Sequence, residues 1–346
     1  MLTMPGNYDI IVTKAGETMN ITELKRILLT ELRKGGRVSG EEMANKTGFS
    51  RTYVWKAVKE LRAEGHDIEA STNCGYRLVE SADVISPETL RKHLCPDLKS
   101  ARLEILDVTD STNNVAMRLA NEGCEEWTLV IAREQTSGRG RNGHTFFSPL
   151  DTGIYMSVVL RPAIAVKDAV LITAAAAVAV AKALENICGV KTGIKWVNDV
   201  YVDGKKVCGI LAESAIEPGK ACLRHAVLGI GVNLLPPGSG FPDEIKDTAS
   251  YVAEKSAKEL KSRVIAEIMN GLYEYCGCLA YKSYYKDYKK RCFFLKKQVS
   301  FIWRGEETRA VAADIGENFE LIVKTPDGKR LALNSGEISV KLQSVR

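Results

Sequence analysis

The chain has 346 residues, 45% hydrophobic, 26% charged and 7% aromatic, with a net charge of +5. This is a globular composition rather than a disordered or fibrous one, and the length calls for about two or three domains rather than one core. Nine cysteines without a C-x-x-C pair predict thiols in a reducing cytoplasm, and His66, His93, His144 and His225 have no metal-ligand spacing, so no protein-held metal site is expected.

Residues 1–19 read as an N-terminal extension ahead of a start at Met19. Asp9, Lys14 and Glu17 interrupt any apolar stretch there, which excludes a signal peptide. From Ile21, the apolar residues Leu24, Ile27, Leu28 and Leu32 recur at helical spacing until Gly35-Gly36. Ser39 caps a short helix, Thr47-Gly48-Phe49 turns the chain, and Ser50 caps a third helix whose Val54, Val58 and Leu61 face inward. The outer face carries Arg51, Thr52, Tyr53, Lys56, Lys59 and Arg62 against the single acid Glu60, a footprint suited to a helix in the major groove. Ala70 to Val79, with Asn73 and Gly75, reads as a two-stranded wing. Residues 20–80 are thus expected to form a winged helix-turn-helix, with Ser39, Ser50, Arg51, Thr52, Tyr53, Lys56 and Lys59 as DNA-binding candidates. The plainer alternative is a small helical domain that binds protein. Ser81 to Pro87 reads as a linker.

From 84 to 290, strand and helix patterns intermingle. Strands are expected at 102–108, 127–133, 153–160, 192–197, 199–203, 207–215 and 223–231, and helices at 111–122, 167–185 and 256–278. This predicts an α+β domain with a mixed, largely antiparallel sheet and helices on one face. The apolar run Ala169 to Ala181 is shorter than the roughly twenty residues a bilayer needs, so it reads as a buried helix and no membrane partner is expected. Short strands separated by glycine turns from 291 to 346 predict a small β-barrel. Residues 282–346 hold fourteen Lys and Arg against eight Asp and Glu, so the rest of the chain is slightly acidic.

Four motifs in this central region carry chemistry. Asp110-Ser111-Thr112-Asn113-Asn114 stands at a strand-to-helix junction, where short polar side chains either cap the helix or gather donors and acceptors for a ligand. Gln135 precedes Gly138-Arg139-Gly140-Arg141-Asn142-Gly143, whose glycines let N–H groups converge and whose guanidinium forks suit an anion. The loop is not a P-loop, because His144 and Thr145 follow its last glycine, and it opens no helix, so it is not a dinucleotide fingerprint. Lys195-Trp196-Val197-Asn198-Asp199 then leads to the hairpin signal Asp203-Gly204, followed by Lys206 and Gly209-Ile210.

In this order and spacing the motifs resemble those of biotin protein ligases over roughly residues 84–346, and the N-terminal segment extends the likeness to the bifunctional subgroup that also represses transcription. The resemblance implies a catalytic domain at 84–290, an SH3-like domain at 291–346, biotin and ATP as substrates with Mg2+ on the phosphates, a biotin carboxyl carrier domain and operator DNA as partners, and homodimers favoured by the adenylate. It also implies that Ser111, Thr112, Asn113, Gln135, Arg139, Gly140, Arg141 and Lys206 bind biotin or its adenylate, with Lys206 beside the carboxylate and α-phosphate. Lys195, Asp199, Gly209 and Asn233 are second candidates for nucleotide contacts. A carboxylate acylates poorly until activated, so the implied reaction has it attack the α-phosphate of ATP, a step in which Arg139, Arg141 and Lys206 would offset the developing charge. Val197, His144 and Phe146 depart from the family's usual proline, arginine and tryptophan. The competing reading is a helix-turn-helix regulator whose large domain senses a ligand without ligase activity; a third is a ligase whose N-terminal domain has lost operator binding.

Overall fold

A computed structural model describes residues 11–12, 18–19, 21–33, 37–63, 68–71, 74–78, 83–216, 219, 221–277, 279–303, 305–334, 336 and 338–340. Gly35-Gly36, His66, Asn73, Val79, Cys278 and most of the expected extension lie outside them. By contacts the chain divides into two compact units, one of residues 1–84 with 255–258, the other of 85–254 with 259–346.

In the first unit, β1 (Ile11–Val12) pairs antiparallel with β2 (Thr18–Met19). Helices α1 (Ile21–Arg33), α2 (Gly40–Thr47) and α3 (Arg51–Ala63) follow, then the hairpin β3 (Ile68–Ser71) and β4 (Gly75–Leu78). Ser39 accepts from Glu42 N–H at 2.9 Å to start α2, and Gly48, at φ 74°, ends it. Leu24, Leu28, Val54, Val58 and Leu61 are buried as the helical spacing requires. Val38 exchanges both backbone hydrogen bonds with Tyr76 at 2.8 Å, adding a short third strand to the wing. That approach is why Gly75 is a glycine: a Cβ there would lie 2.3 Å from the Val38 carbonyl, and its φ is +77°.

The second unit opens with α4 (Pro87–His93), a helix not expected from the sequence, which starts at the last residue of the expected linker. Ser86 and Thr89 form a reciprocal capping box with Pro87 at the first helical position, and Leu90 is fully buried. Then come β5 (Leu103–Thr109), α5 (Thr112–Asn121), β6 (Leu129–Gln135), β7 (Gly153–Leu160), α6 (Val170–Cys188), β8 (Thr192–Lys195), β9 (Asp199–Val202), β10 (Lys205–Ile216), β11 (Leu223–Asn233), α7 (Leu260–Cys276) and α8 (Tyr285–Arg291). The seven strands order as β5-β6-β7-β11-β10-β9-β8, with β5-β6 parallel and all other pairs antiparallel.

Strand alternation gives this sheet two different faces. Leu228, Ile230 and Val232 of β11 enter the main core with the alanine-rich α6 and with α7. Val166–Cys188 is long and apolar enough to cross a membrane, but its most apolar stretch is 72% buried within the protein, as a core helix would be. Val227, with Val130 and Val159, packs on the opposite face under α5 alone. The two long helices thus share one face, and short α5 leaves most of the other free for a site.

Strands β12 (Gln298–Trp303), β13 (Glu306–Ile315), β14 (Leu321–Lys324), β15 (Arg330–Leu333) and β16 (Ser339–Val340) form an antiparallel sheet ordered β15-β14-β13-β12-β16. Its core is continuous with that of the central sheet: Trp196 Nε1–H donates to Phe319 O at 2.8 Å, and the Phe319 ring stacks on Tyr284.

Candidate functional site

The face carrying α5 contains a cavity of about 300 Å³, in the range of small-ligand sites. Its floor is laid by register. Gly209 of β10 lies opposite Gly231 of β11, and Gly231 opposite Tyr155 of β7; one step along, Leu211, Gly229 and Ser157 are in line. Three glycines in these rows leave depth. A Cβ on Gly231 would stand 2.5 Å from the Phe146 ring, and one on Gly229 would stand 2.1 Å from Asn113 Oδ1.

The wall at the start of α5 is polar and buried. Ser111, Thr112, Asn113 and Ser157 are each less than 5% exposed. Ser111 makes no side-chain cap, while Asp110 accepts from Ser111 N–H at 2.7 Å and from the Asn114 amide at 2.6 Å. Those bonds, the amide first, hold the Asp110 carboxyl below its ordinary range. Thr112 N–H donates to Gln135 Oε1 at 2.8 Å, Gln135 donates to Ser148 Oγ at 2.9 Å, and Ser157 Oγ lies within hydrogen-bond distance of Thr112 Oγ1 and Asn113 Oδ1. Burying so many polar atoms is tolerable because they satisfy one another.

The glycine-arginine loop forms the roof. Phe146 N–H donates to Gly138 O and Gly140 N–H to His144 O, while Asn142 and Gly143 both have positive φ and His144 N–H returns to Arg141 O at 3.0 Å. This is an Asn-Gly hairpin turn, a signal present in the sequence but unread there. The two arginines diverge. Arg141 donates to Asn198 Oδ1 at 3.0 Å and Gly336 O at 3.3 Å, whereas Arg139 pairs with Glu213 at 2.8 Å and donates to Asn114 Oδ1 at 2.9 Å.

Lys206 Nζ lies 2.8 Å from Asp199 Oδ1, an ion pair on which no hydrogen bond aligns. Because Arg141 is held by Asn198 and Lys206 by Asp199, two of the three expected cations meet at adjacent residues of one turn. That turn is fixed from behind by Trp196 and by Tyr288, whose hydroxyl donates to Val197 O at 3.1 Å; the Trp196–Val197 peptide is cis.

Ser111, Thr112, Asn113, Gln135, Arg139, Gly140, Arg141 and Lys206 all line the cavity, as do Lys195, Asp199 and Gly209. Asn233 does not: it ends β11 opposite Gly153, and its backbone carbonyl accepts from Val252 N–H. Sequence reasoning missed the lining residues Asn198 and Phe146 and the segment supplying Ile245 and Thr248, which runs beside Lys206, and it missed Glu213, which contacts the lining residues Arg139 and Asn113. Asn198 stood within a quoted motif, and Phe146 was noted only as a departure. Nothing local marked Glu213 or Thr248, which reach the site through sheet register and a long loop.

In the first unit, Ser50 Oγ accepts from Tyr53 N–H at 3.3 Å, so Ser39 and Ser50 act in the structure as helix caps. Arg51, Thr52, Lys56 and Lys59 are exposed on one face of α3, together with Trp55, which is 54% exposed and lies under Lys59 Nζ at 5.6 Å. Arg62 donates to Ile68 O at 2.7 Å, clamping the wing to α3.

The Biotin/lipoate A/B protein ligase family matches residues 105–233, and an HTH domain matches 24–77. The chain is 36% identical over 282 residues to the bifunctional ligase/repressor BirA of Bacillus spizizenii, spanning 81% of each protein. It is 30% identical over 215 residues to BirA of Escherichia coli, covering 62% of this chain and 64% of that one. The biotin protein ligase of Aquifex aeolicus, solved with biotin and ATP, superposes with a TM-score of 0.57 at 25% identity, covering 69% of this chain and 98% of that one. The chain therefore belongs to the biotin protein ligases, in the branch that joins the ligase to a helix-turn-helix repressor.

Proposed function

We propose that the cavity takes up biotin and ATP, joins them as biotinyl-5′-AMP and releases biotin to a lysine of a carboxyl carrier domain. The observation that carries this reading is that residues from four separated sequence motifs line one cavity, with Lys206 and Arg141 anchored side by side through Asp199 and Asn198. Two anions must be brought together there, and fixed cations lower that cost without reorganising during the reaction. Thr112, Asn113 and Gln135 offer the matched donors and acceptors a ureido group needs, and the apolar floor suits an aliphatic chain.

Magnesium belongs with the triphosphate in this scheme. No group of three or more His, Cys, Asp or Glu gathers among the described residues, and Mg2+ is commonly held by one or two carboxylates plus substrate phosphates. Asp199 lines the cavity with its Oδ1 paired to Lys206, so its other oxygen is the carboxylate atom suited to share the ion. A regulator that only senses a ligand would have no need of cations anchored in this way.

The exposed basic face of α3 supports operator binding, and adenylate-driven homodimerisation would couple it to the cavity. Eight free cysteines among the described residues accord with a cytoplasmic location. Biotin-dependent exchange of labelled pyrophosphate into ATP tests the chemistry: Lys206→Ala should lower it by about a hundredfold or more. Absence of exchange in the folded wild type with magnesium would remove the proposal. Gel-shift titration of the operator with and without biotin and ATP tests the coupling, which equal affinity in both would refute.

A further inference from the structure

Arg139 was expected to serve the transferring phosphate, yet its guanidinium is already balanced by a carboxylate. Glu213 lies on the site face of β10, opposite Val227, and its side chain is 24% exposed. One oxygen pairs with Arg139 Nη2 at 2.8 Å, and the other accepts from Asn113 Nδ2 at 2.9 Å. The second arm of Arg139 donates to Asn114 Oδ1. A single carboxylate thereby ties β10, the first turn of α5 and the roof loop together.

We propose that Glu213 is a positioning residue for the ligase reaction: through Arg139 it latches the glycine-arginine loop over the cavity and governs how long the activated intermediate is held. This rests on the ligase reading above. Three features carry it. The loop is an internally bonded hairpin, so pinning Arg139 pins the whole flap rather than one side chain. Among the described residues, the acceptors of Arg141 on the opposite rim are neutral, Asn198 Oδ1 and Gly336 O, whereas Arg139 is pinned by a carboxylate. A bare carboxylate in a site for two anions would repel them, so Glu213 is compatible with the reaction only while Arg139 occupies it.

Asn113 is oriented by the same contact. Its Oδ1 is taken by Ser157 at 2.6 Å, which turns its amide nitrogen toward Glu213. The carboxylate therefore sets two lining groups without needing to touch the reacting atoms.

The test compares wild type, Glu213→Gln, Arg139→Gln and the double variant. Each single variant should raise the biotin KM in pyrophosphate exchange and the rate of adenylate escape by about tenfold, the scale of one lost charged hydrogen bond, and Glu213→Gln should leave kcat of exchange little changed. The double variant should be no worse than either single one. Additive losses, a fall in kcat without faster escape, or unchanged escape at unchanged melting temperature would overturn the latch. If Glu213→Gln does not fold, Arg139→Gln alone decides: escape at the wild-type rate rejects the proposal. A wild type without biotin-dependent exchange would instead indict the ligase reading.

Discussion

Asn198 joins the roof of the cavity to its floor: its Oδ1 accepts from Arg141 at 3.0 Å while its Nδ2 donates to Ile210 O at 2.9 Å. Asn198→Ala should leave Arg141 without its side-chain acceptor but keep the turn, because Ile210 N–H still donates to the Asn198 backbone carbonyl. We expect pyrophosphate exchange to fall about tenfold or more, with stability lowered by only about 1 kcal/mol. Steady-state exchange alongside thermal melting separates the two; a loss of stability large enough to account for the activity would show that Asn198 is chiefly structural.

Glycine at 231 is required by what lies above it. The Phe146 ring occupies the space a Cβ would need, and Phe146 meets Tyr155 edge to face. Gly231→Ala should push Phe146 and the loop outward, raising the biotin KM about tenfold and costing about 1–3 kcal/mol of stability, as overpacking does. Gly143→Ala, at φ +78° with open space around it, should cost stability through backbone strain instead. Equal biotin KM in the two variants would mean that the floor does not shape the site.

The order of these effects explains how much of the site was legible in the sequence. Motifs whose residue types are chemically unusual, such as Gly138 to Gly143 or Asp110 to Asn114, announced themselves, and the strands were located to within about two residues at most ends. What escaped was relational. Glu213 matters because antiparallel pairing sets it beside the first turn of α5, and no local pattern encodes that register. Ser86-Pro87 did encode a helix start, but α4 is so short that its single buried Leu90 gives no period. The face covered by α5 was hidden for the opposite reason: β11 is apolar on both faces, so alternation could not separate core from site.

On α3, Lys59 and Arg62 should fail differently. Lys59 is exposed over Trp55, so Lys59→Ala should weaken operator binding uniformly and reduce the salt-dependence slope by about one. Arg62 donates to Ile68 O, so Arg62→Ala should loosen the wing and destabilise the N-terminal unit by about 1–2 kcal/mol. Salt titrations of operator affinity with thermal melting distinguish them. A slope that falls in Arg62→Ala without any change in melting would assign Arg62 to phosphate instead.

Glu259 begins α7 and pairs with Lys92 at 2.7 Å and His93 at 2.8 Å. Lys92 first, then His93, bring its pKa down to about 2. A carboxylate lowered in the fold contributes stability at pH values above its unfolded pKa, and that contribution disappears as pH falls from about 4.5 toward about 2. Glu259→Gln should therefore flatten the fall in melting temperature across that acid window. Parallel slopes for variant and wild type would show that the ion pairs add nothing to folding.

His225 on β11 is fully buried, and neither ring nitrogen has a hydrogen-bond partner among the described residues. Burial, then the charges of Arg161 and Arg224, push its pKa below the ordinary 6.5. The unfolded chain binds a proton there more readily than the folded one, so the contribution of His225 to stability is lost as pH falls through the ordinary value toward the lowered one. Replacing it removes both that proton linkage and two unpaired polar atoms. His225→Leu should gain about 1 kcal/mol at neutral pH and lose stability less steeply than wild type between about pH 7 and 5. Denaturant melts across that range decide the matter through the difference between the two proteins, since the remaining histidines cancel. A variant less stable at neutral pH, or one with the same pH slope, would mean that His225 is satisfied in solution by a water that enters between the strands.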